Sequence, residues 1–169
     1  MTFRGTAWKV GDHIDTDVII PARYLVTVDP KVLAAHCFED LDPTLAAKIE
    51  PGDIMVAGEN FGQGSSREHA PIALKGVGLA CVVAKSYARI FYRNAFNIGL
   101  PLLEVPDLHA VTESGDRLVV DNETGRITNE TRGTAHVAAP LPEFMRHLVA
   151  SGGIIEYVRQ KIAAGKGSA

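Results

Sequence analysis

Cysteine is scarce in this sequence: Cys37 and Cys81 are the two among 169 residues. Two thiols cannot supply a disulfide framework, a four-cysteine zinc site or the ligands of an iron–sulfur cluster, so any cluster chemistry has to come from another chain. Surplus positive charge is missing too. Lys plus Arg number 17 against 20 Asp plus Glu, a formal net charge of −3 with six His neutral, which offers no cationic field to nucleic acid or anionic lipid. Long apolar runs are also lacking. The stretch at residues 77–84 falls well short of the ~20 residues of a membrane span, and residues 1–17 mix Arg4, Lys9, Asp12, Asp15 and Asp17 with no apolar h-region. The expectation is a soluble, cytoplasmic protein with no nucleic-acid or membrane partner.

What is present is ordinary globular composition, 46% apolar and 22% charged, enough at this length for one core and one domain. The expected unit is residues 1–169, with a frayed tail at 165–169. Residues 6–10 read as an opening strand, followed by a polar turn over 11–17 that runs into Val18-Ile-Ile20. Asp29-Pro30 and Asp42-Pro43 each set a capping acid ahead of a first-turn proline, predicting short helices through His36 and Lys48. Apolar runs at 54–57, 79–84 and 100–105 alternate with helical patterns at 66–75 and 87–97. Strand, helix, strand, helix, strand predicts an α/β domain with a mostly parallel sheet flanked by helices and joined by right-handed crossovers. Residues 117–120 and 126–128 flank the turn-rich 121–125 as a hairpin, and residues 142–149 and 154–164 read as closing helices.

Chemistry concentrates in Gly58-Glu-Asn-Phe-Gly-Gln-Gly-Ser-Ser-Arg-Glu-His-Ala70. Glycines permit close backbone approach, and amides at a helix start form an anion site. Ser65, Ser66 and Arg67 beside them suit a carboxylate. A plainer reading is available, because Ser65 and Glu68 match the S-x-x-E capping box, which needs no ligand. A phosphate loop is disfavoured by the missing Gly-Lys-Ser/Thr, and a serine hydrolase by the missing G-x-S-x-G. Asp12, Asp15 and Asp17 read either as a solvated turn with a side-chain-to-backbone bond or, with His13, as a hard-metal site.

Three segments carry a family resemblance: Gly62-Gln-Gly-Ser-Ser-Arg-Glu-His-Ala70, Asp15-Thr-Asp-Val-Ile-Ile-Pro-Ala-Arg-Tyr-Leu25 and Ala88-Arg-Ile-Phe-Tyr-Arg-Asn-Ala-Phe-Asn-Ile-Gly-Leu-Pro101. The segments lie along the chain in the family's order, and over essentially its whole length the sequence resembles the 3-isopropylmalate dehydratase small subunits, the separate-chain form of the aconitase superfamily's swivelling domain. The resemblance implies a single swivelling β/β/α domain that closes over a large partner subunit. That partner would carry a [4Fe–4S] cluster acting as Lewis acid on the leaving hydroxyl; no metal or cofactor would be bound by this chain. It further implies that Ser65 is the catalytic base, that Ser66 and Arg67 bind substrate carboxylate, and that Asp17 acts through charge or a proton network. His69 would be a supporting histidine, and Arg89, Arg93 and Asn94 would shape the interface or loop.

Substrate choice in the superfamily follows the segment after the aspartate motif, here Tyr24-Leu-Val-Thr27. Val26 cannot pair a charge, and a facing isopropyl group would bury about three carbons at ~0.8 kcal/mol each, whereas an unpaired carboxylate costs several kcal/mol. A branched malate is therefore expected: 2- and 3-isopropylmalate interconverted by dehydration and rehydration through 2-isopropylmaleate, a step of leucine synthesis. Dimethylmalate fits almost as well, Thr27 keeps homoaconitate as an alternative, and a core valine is the plainer reading of Val26. The alternative of another class is a non-catalytic anion-binding module.

Overall fold

The computed structural model describes residues 1–167. β1 (Thr2–Lys9), β2 (Ile54–Ala57), β3 (Cys81–Ala84) and β4 (Leu102–Glu104) lie in parallel in the order β4-β3-β2-β1. Ala7 stands opposite Ile54, Val56 opposite Val83 and Val83 opposite Leu103. Every residue of β2 and β3 is buried, which is why these strands read as unbroken apolar runs. Each step along the chain moves one strand in the same direction, so right-handed crossovers put all connecting helices on one face. Those helices are α1 (Thr16–Ile19), α2 (Pro30–Ala35) and α3 (Leu45–Lys48) before β2, α4 (His69–Gly76) before β3 and α5 (Arg89–Asn97) before β4.

The opposite face of the parallel strands would be bare, and the chain covers it with more sheet. β5 (Arg117–Asp121), β6 (Arg126–Asn129) and β7 (Thr134–Val137) form an antiparallel meander on the other side of β1. The first half of β1 pairs with β5, from Thr2 opposite Asp121 to Thr6 opposite Arg117, and its second half with β2. The sheet turns over at β1. Leu118, Val120 and Ile127 of the meander join Ile54, Val56, Cys81, Val83 and Leu103 in one buried cluster, while Met55, Ala57, Val82 and Leu102 face the helices with Ile19, Leu33, Phe61, Leu74 and Phe96. Helices, parallel strands and antiparallel strands make the three layers of the expected β/β/α arrangement; the parallel order holds for four of the seven strands.

α2 starts as its sequence dictates: Asp29 Oδ1 accepts from Lys31 N–H at 3.0 Å, with Pro30 in the first turn. Asp42 Oδ1 accepts from the Thr44 amide (2.9 Å) and hydroxyl (2.7 Å) just ahead of α3. α6 (Glu143–Ser151) and α7 (Ile154–Gly167) close the helical layer against α5. α7 thus runs into the tail expected at 165–169, whose last two residues lie outside the described ones. No helix among the described residues is long and apolar enough to cross a membrane.

Candidate functional site

Residues 11–17 and 58–65 run side by side, tied rung by rung. His13 N–H donates to Glu59 O (2.7 Å), Gly62 N–H to Ile14 O (2.8 Å) and Thr16 N–H to Gln63 O (2.9 Å). Two glycines are obligatory here. Gly62 has φ +85° and a Cβ would lie 2.2 Å from the Phe91 ring; Gly64 has φ +105° and a Cβ would lie 2.8 Å from Asp15 Oδ1. The third segment is stitched on by Phe61, whose amide donates to Ser86 O and whose carbonyl accepts from Ala88 N–H, each at 3.0 Å. The Phe61 ring meets Phe91 edge-on at 5.3 Å. The three sequence segments therefore converge at one edge of the fold.

The acids of the first segment divide their work. Asp12 Oδ1 accepts from Glu59 N–H at 2.8 Å, a bond that holds its carboxyl below the usual range. Asp15 caps α1 by accepting from Asp17 N–H at 2.8 Å. Both match the turn reading. Asp17 points elsewhere: its Oδ1 accepts from Arg67 Nη1 at 2.7 Å. His13 does not complete a metal site with these acids, because no three His, Cys, Asp or Glu side chains converge as a ligand set among the described residues.

Ser65 and Ser66 are exposed, and neither hydroxyl has a hydrogen-bond partner among the described residues. The capping box expected from Ser65 and Glu68 does not form. α4 begins at His69, not at 66, and no side chain caps it. The reason is tertiary: Ser65 N–H is taken by Thr16 Oγ1 at 3.3 Å, and Asn94 Nδ2 donates to Ser66 O at 3.0 Å. Asn94 thus shapes the loop, as the resemblance implied. Thr16 carried no signal of its own, being a threonine between two aspartates. His69 is half-buried with its Nδ1 enclosed and unpaired.

Val26 is 93% exposed, on the loop after the 3-10 turn Ala22–Tyr24, so the core-valine reading fails. The loop's base is fixed by Tyr24 stacked on His36 (3.9 Å, 8°) and by Arg23 bonded to Asp40 (2.8 Å) and Glu39 (3.2 Å). Thr27 Oγ1 accepts from Asp29 N–H at 3.1 Å. Neither Val26 nor Thr27 is hydrogen-bonded to residues 65–67 among the described residues. Arg89 and Arg93 line a separate groove of about 690 Å³ with Tyr92, Phe96 and Met145; Ser65, Ser66 and Arg67 are not part of it.

A cluster does not fit this chain's thiols. Cys37 and Cys81 are buried in different core clusters, and desolvation pushes both well above the usual thiol range, against the thiolate a cluster ligand must be.

Comparison with known proteins bears on the same residues. A family model described as the aconitase C-terminal domain matches residues 12–108. The chain is 54% identical to a 3-isopropylmalate dehydratase small subunit of Thermodesulfovibrio yellowstonii, across 96% of this chain and 97% of that one. It is 54% identical to a 2,3-dimethylmalate dehydratase small subunit of Eubacterium barkeri, across 94% and 97%. A crystal structure of 3-isopropylmalate dehydratase from Methanocaldococcus jannaschii superposes with TM-score 0.95 at 39% identity, covering all of both chains.

Proposed function

Because the chain belongs to the aconitase C-terminal domain family, among the dehydratase small subunits, we propose that it is the small subunit of a hydro-lyase interconverting 2- and 3-isopropylmalate, with Ser65 as base. The observation that carries this reading is the convergence of Ser65, Arg67 and Asp17 on one exposed edge, with both serine hydroxyls unengaged. Ser65 Oγ, ionised in the assembled complex, takes the proton from C3 of 2-isopropylmalate as the C2 hydroxyl leaves as hydroxide with its bonding pair, giving 2-isopropylmaleate; the hydroxide and the proton held by Ser65 together account for the water released. Water then returns with its oxygen on C3 and a proton on C2. Ser66 and Arg67 hold carboxylate, with Arg67 exchanging Asp17 for the substrate.

A serine hydroxyl does not ionise unaided. Each pKa unit takes ~1.4 kcal/mol, and a helix dipole supplies only ~0.3–1 kcal/mol within its first turn. Here α4 starts beyond Ser65 and Arg67 is occupied by Asp17, so activation waits for a second polypeptide. That partner is a large subunit, which we take to hold the [4Fe–4S] cluster; the cluster would supply Lewis acidity toward the leaving hydroxyl, and the assembly works in the cytoplasm, in leucine synthesis. Val26 supports a branched apolar substrate, its side chain standing free to be covered when the partner closes. Dimethylmalate is the second reading, favoured by the Eubacterium barkeri relative. Homoaconitate stays the alternative that rests on Thr27, whose Oγ1 accepts the Asp29 amide and keeps its proton free to donate to a carboxylate.

The test is anaerobic reconstitution with an iron–sulfur large subunit, following loss of 2-isopropylmaleate by its ultraviolet absorbance. Hydration is expected from the mixture and from neither part alone, and Ser65→Ala is expected to lower kcat by roughly 10²–10⁴-fold, the range for a positioned acid–base group. A mixture with Ser65→Ala at full rate overturns the assignment of the base.

A further inference from the structure

We propose that Thr16 and Asn94 are positioning residues for Ser65 and Ser66, doing by tertiary hydrogen bonds what a helix cap does not do here; the inference rests on Ser65 being the base. Local structure leaves residues 64–68 without support. Gly64 sits at φ +105° on one side, and on the other α4 starts only at His69, with no side-chain cap. The loop is pinned from outside. Thr16 Oγ1, on a residue 2% exposed, accepts from Ser65 N–H at 3.3 Å, and Asn94 Nδ2, on α5, donates to Ser66 O at 3.0 Å.

Thr16 is itself fixed at two points. Its amide donates to Gln63 O at 2.9 Å, and its hydroxyl faces Asp15 Oδ1 at 3.5 Å. A hydroxyl has one proton and two lone pairs, so it can face the carboxylate and still accept from Ser65. Asp15 Oδ1 also takes the Asp17 amide at 2.8 Å. Asp15, Thr16 and Asp17 therefore form one unit, whose middle member holds the base's backbone while its last member holds Arg67. Asn94 is oriented by its own helix, since the neighbouring Phe91 and Ala95 are anchored in the core. These contacts engage the main chain of Ser65 and Ser66 and leave both hydroxyls open. A base needs that division, because a misplacement of about 1 Å costs on the order of 10²-fold in rate.

The experiment uses the reconstituted complex. Thr16→Val removes the acceptor and keeps the branched shape. We expect kcat to fall about 10- to 100-fold, with KM for 2-isopropylmalate, affinity for the large subunit and the thermal midpoint each little changed. Thr16→Ser, which restores a hydroxyl, is expected to recover most of the rate. Asn94→Asp removes the N–H donor at a half-buried position and is expected to act in the same direction, carrying the test should Thr16→Val fail to fold. The double variant should lose less than the product of the two, since both act on one loop. Unchanged kcat in Thr16→Val and Asn94→Asp overturns the proposal, as does a loss that Thr16→Ser does not recover. Full activity in Ser65→Ala would instead remove the base assignment beneath it.

Discussion

Replacing Asp17 by Asn separates two roles that the Arg67 pair could have. The contact is short, 2.7 Å, but the side chains are 61% and 32% exposed, and ion pairs this open to water contribute ~0.2–1 kcal/mol. For a chain of this size a loss of 1 kcal/mol shifts the thermal midpoint by roughly 2–4 °C, so Asp17→Asn is expected to unfold within a few degrees of the wild type. The same small energy is what a substrate carboxylate must overcome to take Arg67. Removing the competing charge should therefore lower KM for 2-isopropylmalate by about 1.4- to fivefold, at ~1.4 kcal/mol per tenfold. If Asp17 also stabilises the charge changes around Ser65, kcat falls by about tenfold or more. Steady-state hydration kinetics on the reconstituted complex, paired with a melting curve, read all three quantities. A KM that rises severalfold with kcat intact would refute the exchange, showing that Asp17 orients Arg67 for substrate instead of yielding it.

Two further outcomes follow from other residues. Val26→Arg, at a position already exposed, should leave stability within ~0.5 kcal/mol while lowering kcat/KM for isopropylmalate by up to ~50-fold, the worth of three buried carbons. The ratio of cis-homoaconitate to 2-isopropylmaleate turnover checks it, and an unchanged ratio removes Val26 from substrate choice. Asp116 sets an acid limit. Burial raises its carboxyl, but Arg132, the Glu113 amide and Asn129, at 2.6, 3.0 and 2.9 Å, outweigh that and bring it down to about 2. A carboxylate depressed by folding stabilises above its unfolded value and loses that contribution as pH falls through its folded value. Urea unfolding should thus weaken by about 1–2 kcal/mol between pH ~4 and ~2, a component missing in Asp116→Asn; equal acid slopes for the two proteins would exclude it.

Local chemistry made much of this molecule legible. Asp29-Pro30 announces α2, and the apolar runs announce β2, β3 and β4, because those features depend on nearest neighbours and on burial from both sides. What escaped depends on partners far along the chain. Ser65 and Glu68 spell a capping box, yet the Ser65 amide finds Thr16, and a tertiary acceptor outcompetes a local one without any trace in the motif. β7 has four residues with two exposed positions at the sheet edge, too little pattern to separate from a loop. β1 begins at Thr2, ahead of its apolar part, since β5 supplies the pairing that its own residues do not demand. At the site, the motif named Ser65, Arg67 and Asp17, and it took the fold to add Thr16.

The strand that joins the two halves of the sheet waits longest along the chain for its neighbours. During synthesis, β1 leaves the ribosome with neither neighbour available: Ile54 arrives long after Ala7, and Asp121 longer still after Thr2. Until β5 and β6 emerge, Ile54, Val56, Cys81, Val83 and Leu103 have only water on their outer face. A chain cut short before β5 would therefore leave that apolar face bare, and it is the final third of the polypeptide that covers it.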